Sequence, residues 1–560
     1  MDRRAFLTAK RPASPRTETV EDPPQLRGID SGLNPYSGTW GTAQVSHLLK
    51  RTMFGAKKTD VDYFKTRTVS QAVDELLTIP ATPPPPPVKN YDNSNIDPAD
   101  ADYAIPQGQT WVNINTNDGT ANSRRITSLK SWWTGLMLNQ DRNILEKMVL
   151  FWHNHFATET NDIGRAIWCY QNNIILRQYA LGNFKQFVRA VTLDTGMLRY
   201  LNGYLNSNTA PDENYGRELQ ELFTIGKENT PNYTEDDVKQ AARVLTGWRI
   251  DNTANTYFFQ ANRHDTGNKQ FSSFYNNKLI TGRTGNTAGD LELDDLLNMI
   301  FSKQVEVSKF IVKKIYRWFC YYTIDAATET NIIEPLAAQF RTNWEIKPVL
   351  QTLFKSEHFF DMLNKGCMIK TPIDATVGMC REFNLQFPPA TDYVNAYFMW
   401  DYVRSQAAGA QLNIGDPPNV AGWPAFYQGP QYYEIWINSD TLPKRNRFTD
   451  QLVSPGYTRN SKKIQLDPVA FAKSLPNATD PNALINDSLD ILYAVPLTDA
   501  TKQTIKKNIL LSGQDQDYYW SNAWVAYLAT PNDQMAYQTV YTRLRDLYKY
   551  FMNLPEYQLA

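Results

Sequence analysis

No stretch of about 18 consecutive apolar residues occurs in the 560-residue chain, so the sequence offers no transmembrane helix. Charge of one sign is also missing. The 57 Lys and Arg against 58 Asp and Glu leave a net charge of −1, and without a basic excess nucleic acid is not an expected partner. The four cysteines, Cys169, Cys320, Cys367 and Cys380, form no C-x-x-C pair. Their apolar or helix-forming neighbours indicate buried free thiols rather than a disulfide framework or a zinc ribbon. No G-x-S-x-G elbow, P-loop, dinucleotide glycine motif or H-E-x-x-H occurs, so serine hydrolase, nucleotide-binding and zincin chemistry lack their signatures. Histidine is scarce, with five in the chain, and the placement of each therefore carries weight.

What is present is a large reserve of apolar residues, 42% of the chain, in patterns of helical period. The expected fold is mainly α, a multi-helix globular body with long irregular loops and little β structure. Residues 1–35 lack periodicity and are expected to form a mobile leader. Its start, Met1-Asp-Arg3-Arg4-Ala-Phe6-Leu7, is like a twin-arginine signal, but the Pro- and Arg-rich continuation supplies no apolar segment, so export and cytoplasmic residence both stand. Residues 36–90 give a helical cap with stripes at 42–54 and 69–77, then a polyproline strap at 83–87. A helical core with the candidate site is expected over 91–385, and a turn-rich segment with C-terminal helices over 386–560. The clearest single helix is 234–247, with Thr234 as N-cap, an acid three residues later and Gly247 at the exit.

The functional expectation centres on Glu146-Lys-Met-Val-Leu-Phe-Trp-His153-Asn-His155. In a helix Glu146 and His153 share a face, whereas His153 and His155 stand about 200° apart. Both imidazoles can meet one ion only if the helix ends there, and the cap- and turn-rich 157–164 run permits it. His264-Asp265 lies in a Gly-containing loop. Glu218 and Glu221 are spaced i, i+3, as carboxylates that share an ion on a helix are, with Glu213 just before them. These residues suggest a divalent or transition metal held by His153, His155, His264 and Glu221, with Glu218 and Asp265 in catalytic roles. Glu146, Glu213, Arg217 and Lys269 would support the ligands or meet substrate. A metal-bound water acting as nucleophile makes a hydrolase on an anionic or glycan-like substrate, and the same ligands suit a non-haem metal oxidase. The competing reading is a non-catalytic structural or secretion/assembly protein whose His/Glu cluster is a buried polar network. His47 and His358, in apolar helical surroundings, are read as structural.

Several of these stretches together resemble the bacterial domain-of-unknown-function family 1800. They are Glu146-Lys-Met…Phe-Trp-His-Asn-His-Phe-Ala-Thr158, Glu213-Asn-Tyr-Gly-Arg-Glu-Leu…Glu221-Leu-Phe-Thr224 and Tyr233-Thr-Glu-Asp-Asp-Val…Leu-Thr-Gly-Trp248. His264-Asp-Thr-Gly-Asn-Lys269, Gly366-Cys-Met-Ile-Lys370-Thr-Pro372 and Pro417-Pro-Asn-Val-Ala-Gly-Trp-Pro424 extend the series. The resemblance implies no particular activity. It implies a bacterial protein, often exported to the periplasm, and a companion protein similar to phosphatases and sulfatases.

Overall fold

Thr234 and Asp237 form the helix start that their spacing predicts. Thr234 Oγ1 accepts from the Asp237 amide at 3.2 Å and the Asp237 carboxylate accepts from the Thr234 amide at 2.8 Å, opening the Glu235–Val244 helix on a reciprocal cap. Asp237 also accepts from the amide and hydroxyl of Ser272, both at 2.7 Å, so the cap fixes the following loop as well. The structure is a computed structural model that describes residues 31–228 and 231–560. It is mainly α. Among the described residues, strands occur in three two-stranded antiparallel ribbons, one pairing Trp248–Asp251 with Thr256–Phe259. No helix among them is long and apolar enough to cross a membrane. The twin-arginine-like start lies outside the described residues.

Helices with one apolar stripe fall where periodicity puts them. Thr42–Thr52, Val69–Leu76, Gln304–Phe319 and Ile346–Phe354 form close to the expected bounds, and the first buries Val45, Leu48 and Leu49 of its stripe while Ala43 is exposed. The polyproline strap lies along the Gly119–Leu138 helix, whose Trp132 Nε1 donates to Pro85 O at 2.8 Å. The irregular run that follows is tied down by buried charge. Lys89 Nζ donates to Asp102 O at 2.6 Å and Ile105 O at 2.9 Å, and Arg125 pairs with the Asp102 carboxylate at 2.6 Å with neither side chain exposed. Three helices beyond residue 385 have no counterpart in the sequence reading: Tyr393–Gly409, Thr441–Val453 and Tyr518–Ala529. The first packs on the Gly119–Leu138, Pro372–Glu382 and Thr441–Val453 helices at once. Burial on several sides leaves its sequence without a single stripe.

Apolar side chains from Val45 to Leu559 form one continuous core. The first helix packs against Pro481–Leu492, and the Gln534–Asn553 helix buries Val540, Leu544, Leu547, Tyr548, Phe551 and Met552 in it.

Candidate functional site

The Leu145–His155 helix ends at the predicted place, with Phe156 donating its amide to Trp152 O. Its two histidines then part. His153 lies edge-on between Trp133 and Trp423, with ring centroids 5.3 and 5.7 Å away. Burial pushes its pKa down to about 4, against the pull of Asp416 and with a smaller push from Lys130. Over it folds the 417–424 segment, whose Trp423 amide donates to Asn154 Oδ1 at 2.9 Å. Gly422 makes that closure possible. Its φ is +91°, and a Cβ there would stand 2.4 Å from the Asn154 carbonyl oxygen. Asp416 anchors the same segment by accepting from the Thr160 amide at 3.0 Å and hydroxyl at 2.6 Å while ion-paired with Lys130.

His155 faces the other way. Its Nε2 lies 3.1 Å from Phe223 O, a contact in which nitrogen must donate, and its Nδ1 lies 3.1 Å from the Lys314 ammonium, where it must accept. Neither lone pair is left for an ion. Lys314 also donates to Leu222 O at 3.0 Å, and burial pushes its pKa down to about 7. His264 belongs to a third network. Its Nδ1 meets Thr246 O at 2.9 Å, and its Nε2 meets Glu292 Oε1 at 3.1 Å. Glu292 is fully buried and takes Lys269 Nζ at 2.6 Å and the Arg283 amide at 2.7 Å. The structure does not bring His153, His155 and His264 together: His155 and His264 meet different polar partners, and His153, whose Nε2 has no hydrogen-bond partner among the described residues, lies between two tryptophan rings. Among the described residues, no three His, Cys, Asp or Glu side chains are grouped to hold a metal ion.

The remaining expected residues divide between framework and an open carboxylate pair. Asp265 is clamped by Arg243 through both oxygens, at 2.8 and 3.0 Å, which holds its carboxyl below the usual range despite partial burial. Glu146 receives Arg177 in the same two-pronged way at 2.6 and 2.9 Å inside the core. Neither is presented to a substrate. Arg217 grips Glu235 at 2.8 and 2.6 Å and reaches Glu213 at 3.2 Å, linking two helices near the surface.

Glu218 and Glu221 are different. They lie along the partly exposed face of the Asn214–Glu221 helix, whose other face buries Tyr215, Gly216, Leu219 and Gln220. Glu221 pairs with Lys227 at 2.6 Å. Among the described residues Glu218 has no such partner of its own. Partial burial, and then the charge of Glu221, push its pKa up to about 7, against the opposing pull of Arg217 and Lys227. The charge of Glu218 is felt by Tyr200 and Tyr233, whose hydroxyls are both raised, chiefly by burial. Tyr200 donates to Glu159 Oε1 at 3.4 Å, and the Tyr233 hydroxyl is buried with no hydrogen-bond partner among the described residues. Glu159, which the sequence reading passed over, is itself raised by burial and by Asp162 and Asp416.

Asp416, Lys314 and Glu292 were also missed. Asp416 stands in a turn-dense stretch that advertises structure but not a partner. Glu292 looks no different in sequence from the neighbouring acids Asp290, Asp294 and Asp295, and only its burial sets it apart. No curated protein and no solved structure matches the chain. One family model, described as a protein of unknown function (DUF1800), matches residues 47–559.

Proposed function

We propose, for a chain that belongs to the DUF1800 family of proteins of unknown function, an acid–base hydrolase centred on Glu218 and Glu221. The observation that carries this reading is the Glu218 carboxyl, poised at about 7 beside a second carboxylate in a different environment. A carboxyl group that still holds its proton near neutrality is suited to act as a general acid. In this reading Glu218 gives its proton to the departing oxygen of the substrate. Glu221, ion-paired with Lys227, takes the proton that water loses as the water oxygen bonds to the reacting carbon and the bond from that carbon to the departing oxygen breaks. The surrounding Glu159, Asp162 and Glu221 disfavour an anionic substrate, since Arg217 and Lys227 are already paired. A neutral, glycan-like substrate resting on Tyr200 and Tyr233 fits better. In this reading the histidines take no part in the chemistry, and His155, through Phe223 O, steadies the exit of the helix that carries Glu218 and Glu221.

A divalent ion shared by Glu218 and Glu221 is the second reading, favoured by their mutual repulsion, which a cation would relieve. One experiment separates the two. Hydrolysis of a panel of nitrophenyl glycosides is followed against pH in chelator-treated protein and in the Glu218→Gln variant. The acid–base reading expects activity without metal, a fall in rate above pH about 7, and a loss of about 100-fold or more in the variant. Activity that needs added Mn²⁺ or Zn²⁺ and vanishes in chelator favours the second reading. Wild-type rates in Glu218→Gln sink both.

A further inference from the structure

A small cavity of about 40 Å³ lies far along the chain from Glu218, walled by the Thr42–Thr52 helix, the Leu145–His155 helix, residues 368–371 and the Tyr432–Trp436 turn. Its charged side chains are five cations, Lys50, Arg51, Lys147, Arg317 and Lys370, and one carboxylate, Asp374. Three of these cations are accounted for nearby, the first being Arg317, whose Nε donates to Tyr322 O at 3.3 Å. Lys147 Nζ is ion-paired with Asp374, and Arg51 Nη2 donates to Asn364 O at 3.1 Å and Ala560 O at 3.0 Å. Two are not. Lys50 is buried, its Nζ makes no hydrogen bond, and its nearest carboxylate oxygen, on Glu382, is 3.9 Å away. Lys370 is also buried, and its Nζ lies 3.8 Å above the Tyr557 ring with no hydrogen-bond acceptor recorded for it among the described residues. A buried ammonium without an acceptor is costly, and two that repel one another are more so. Lys50 registers this: burial pushes its pKa down to about 7, with Lys370 adding to the fall and Glu382 opposing it. Lys370 is lowered too, by burial first, with Arg445 adding and Glu382 and Asp374 opposing.

We propose that this cavity binds a tetrahedral oxyanion, the phosphate or sulfate group of a small molecule, between the ammonium groups of Lys50 and Lys370, neither of which has a hydrogen-bond acceptor among the described residues. The volume suits this class, because a cavity needs about 10–15 Å³ per water, and about three or four water-sized positions accommodate the oxyanion group. Aromatic rings from Phe426, Trp436, Tyr322 and Tyr432 line the rest of the wall, where a flat organic body attached to the anion would rest. The lysine ammonium is a natural point-charge partner for such a group. This site is independent of the Glu218 reading, and its test involves no hydrolysis.

The test is calorimetric titration of the full chain with sulfate, with inorganic phosphate and with phenyl phosphate, at constant ionic strength. Saturable one-site binding is expected. Phenyl phosphate binding several-fold to about tenfold tighter than phosphate assigns an aromatic phosphomonoester, and equal affinities assign the free oxyanion. Sulfate keeps its charge across the neutral range, so its affinity should fall by up to about tenfold per unit above pH 7 as Lys50 loses its proton. Glu382 and Lys370 on the facing segments, and His47 on the same helix, are the ionisable groups acting on or with Lys50 there. Lys370→Met and Lys50→Met should each weaken binding by about tenfold or more. The proposal is overturned if none of the three anions binds below about 10 mM. It is equally overturned if sulfate affinity is flat from pH 6.5 to 8.5, a readout needing no substitution, or if both variants bind like the wild type.

Discussion

Single residues here are defined by what their polar atoms already hold. Three histidines that crowd the sequence motifs reach three different environments, and the hydrogen-bond inventory of His155 alone removes it as a ligand. His153 illustrates the energetic side. Its folded pKa of about 4 lies below the ordinary value near 6.5, so the fold favours the neutral ring. As pH falls, the unfolded chain takes up the proton first, and stability drops between about 6.5 and 4 by about 3 kcal/mol from this group. Replacement by phenylalanine, which still fills the gap between Trp133 and Trp423, should flatten that part of the curve. Denaturant midpoints of wild type and His153→Phe between pH 4 and 7.5 check this, and parallel curves would contradict it. Nothing in the stretch Phe-Trp-His-Asn-His predicts the sign, because burial by Trp423 comes from a segment about 270 residues away.

At the scale of elements, legibility followed the number of neighbours. The Glu235–Val244 helix carries its own start signal and one apolar face, and both are visible in sequence. The Tyr393–Gly409 helix carries neither. It has no capping side chain at Asp392, and it is buried on several sides by other helices. Its seat on the Gly119–Leu138 helix depends on Gly135, where a Cβ would come within 2.5 Å of the Trp400 ring. Alanine at an exposed helix position would gain about 1 kcal/mol over glycine, but here the ring must move. Gly135→Ala is therefore expected to lose about 1–3 kcal/mol net, with altered tryptophan emission. Urea unfolding measures the first and fluorescence the second, and a raised midpoint would show that Trp400 yields freely.

The whole molecule is closed by contacts between distant parts of the chain. Arg51, near the first helix's end, donates to Asn364 O and Ala560 O, the Lys370 amide donates to Gln558 O, and the Ala560 amide donates to Met368 O. The last long helix supplies six buried apolar side chains to the core. Deletion of residues 534–560 should thus unfasten the Thr42–Thr52 helix as well as expose the core. Loss of soluble protein, or in any soluble fraction rapid amide exchange over residues 42–52, is the expected outcome. Protection equal to that of the full chain would refute the coupling.

The sequence by itself determined the mainly α class, the caps, most one-faced helices, the free buried thiols and the family. Each of these depends on a local period, a composition or a motif in fixed order. It also picked out Glu218 and Glu221 as neighbours, since helical spacing alone puts i and i+3 together. Tertiary structure decided what each charge meets. Asp265 and Glu146 went to arginines, His264 to Glu292, and Glu218 to a half-buried place beside another carboxylate. Among the described residues the same packing left the Lys50 and Lys370 ammonium groups without a hydrogen-bond acceptor, the first 3.9 Å from Glu382 and the second above the Tyr557 ring. Burial and partner distance set proton affinity and availability, and both depend on segments brought together from across the chain.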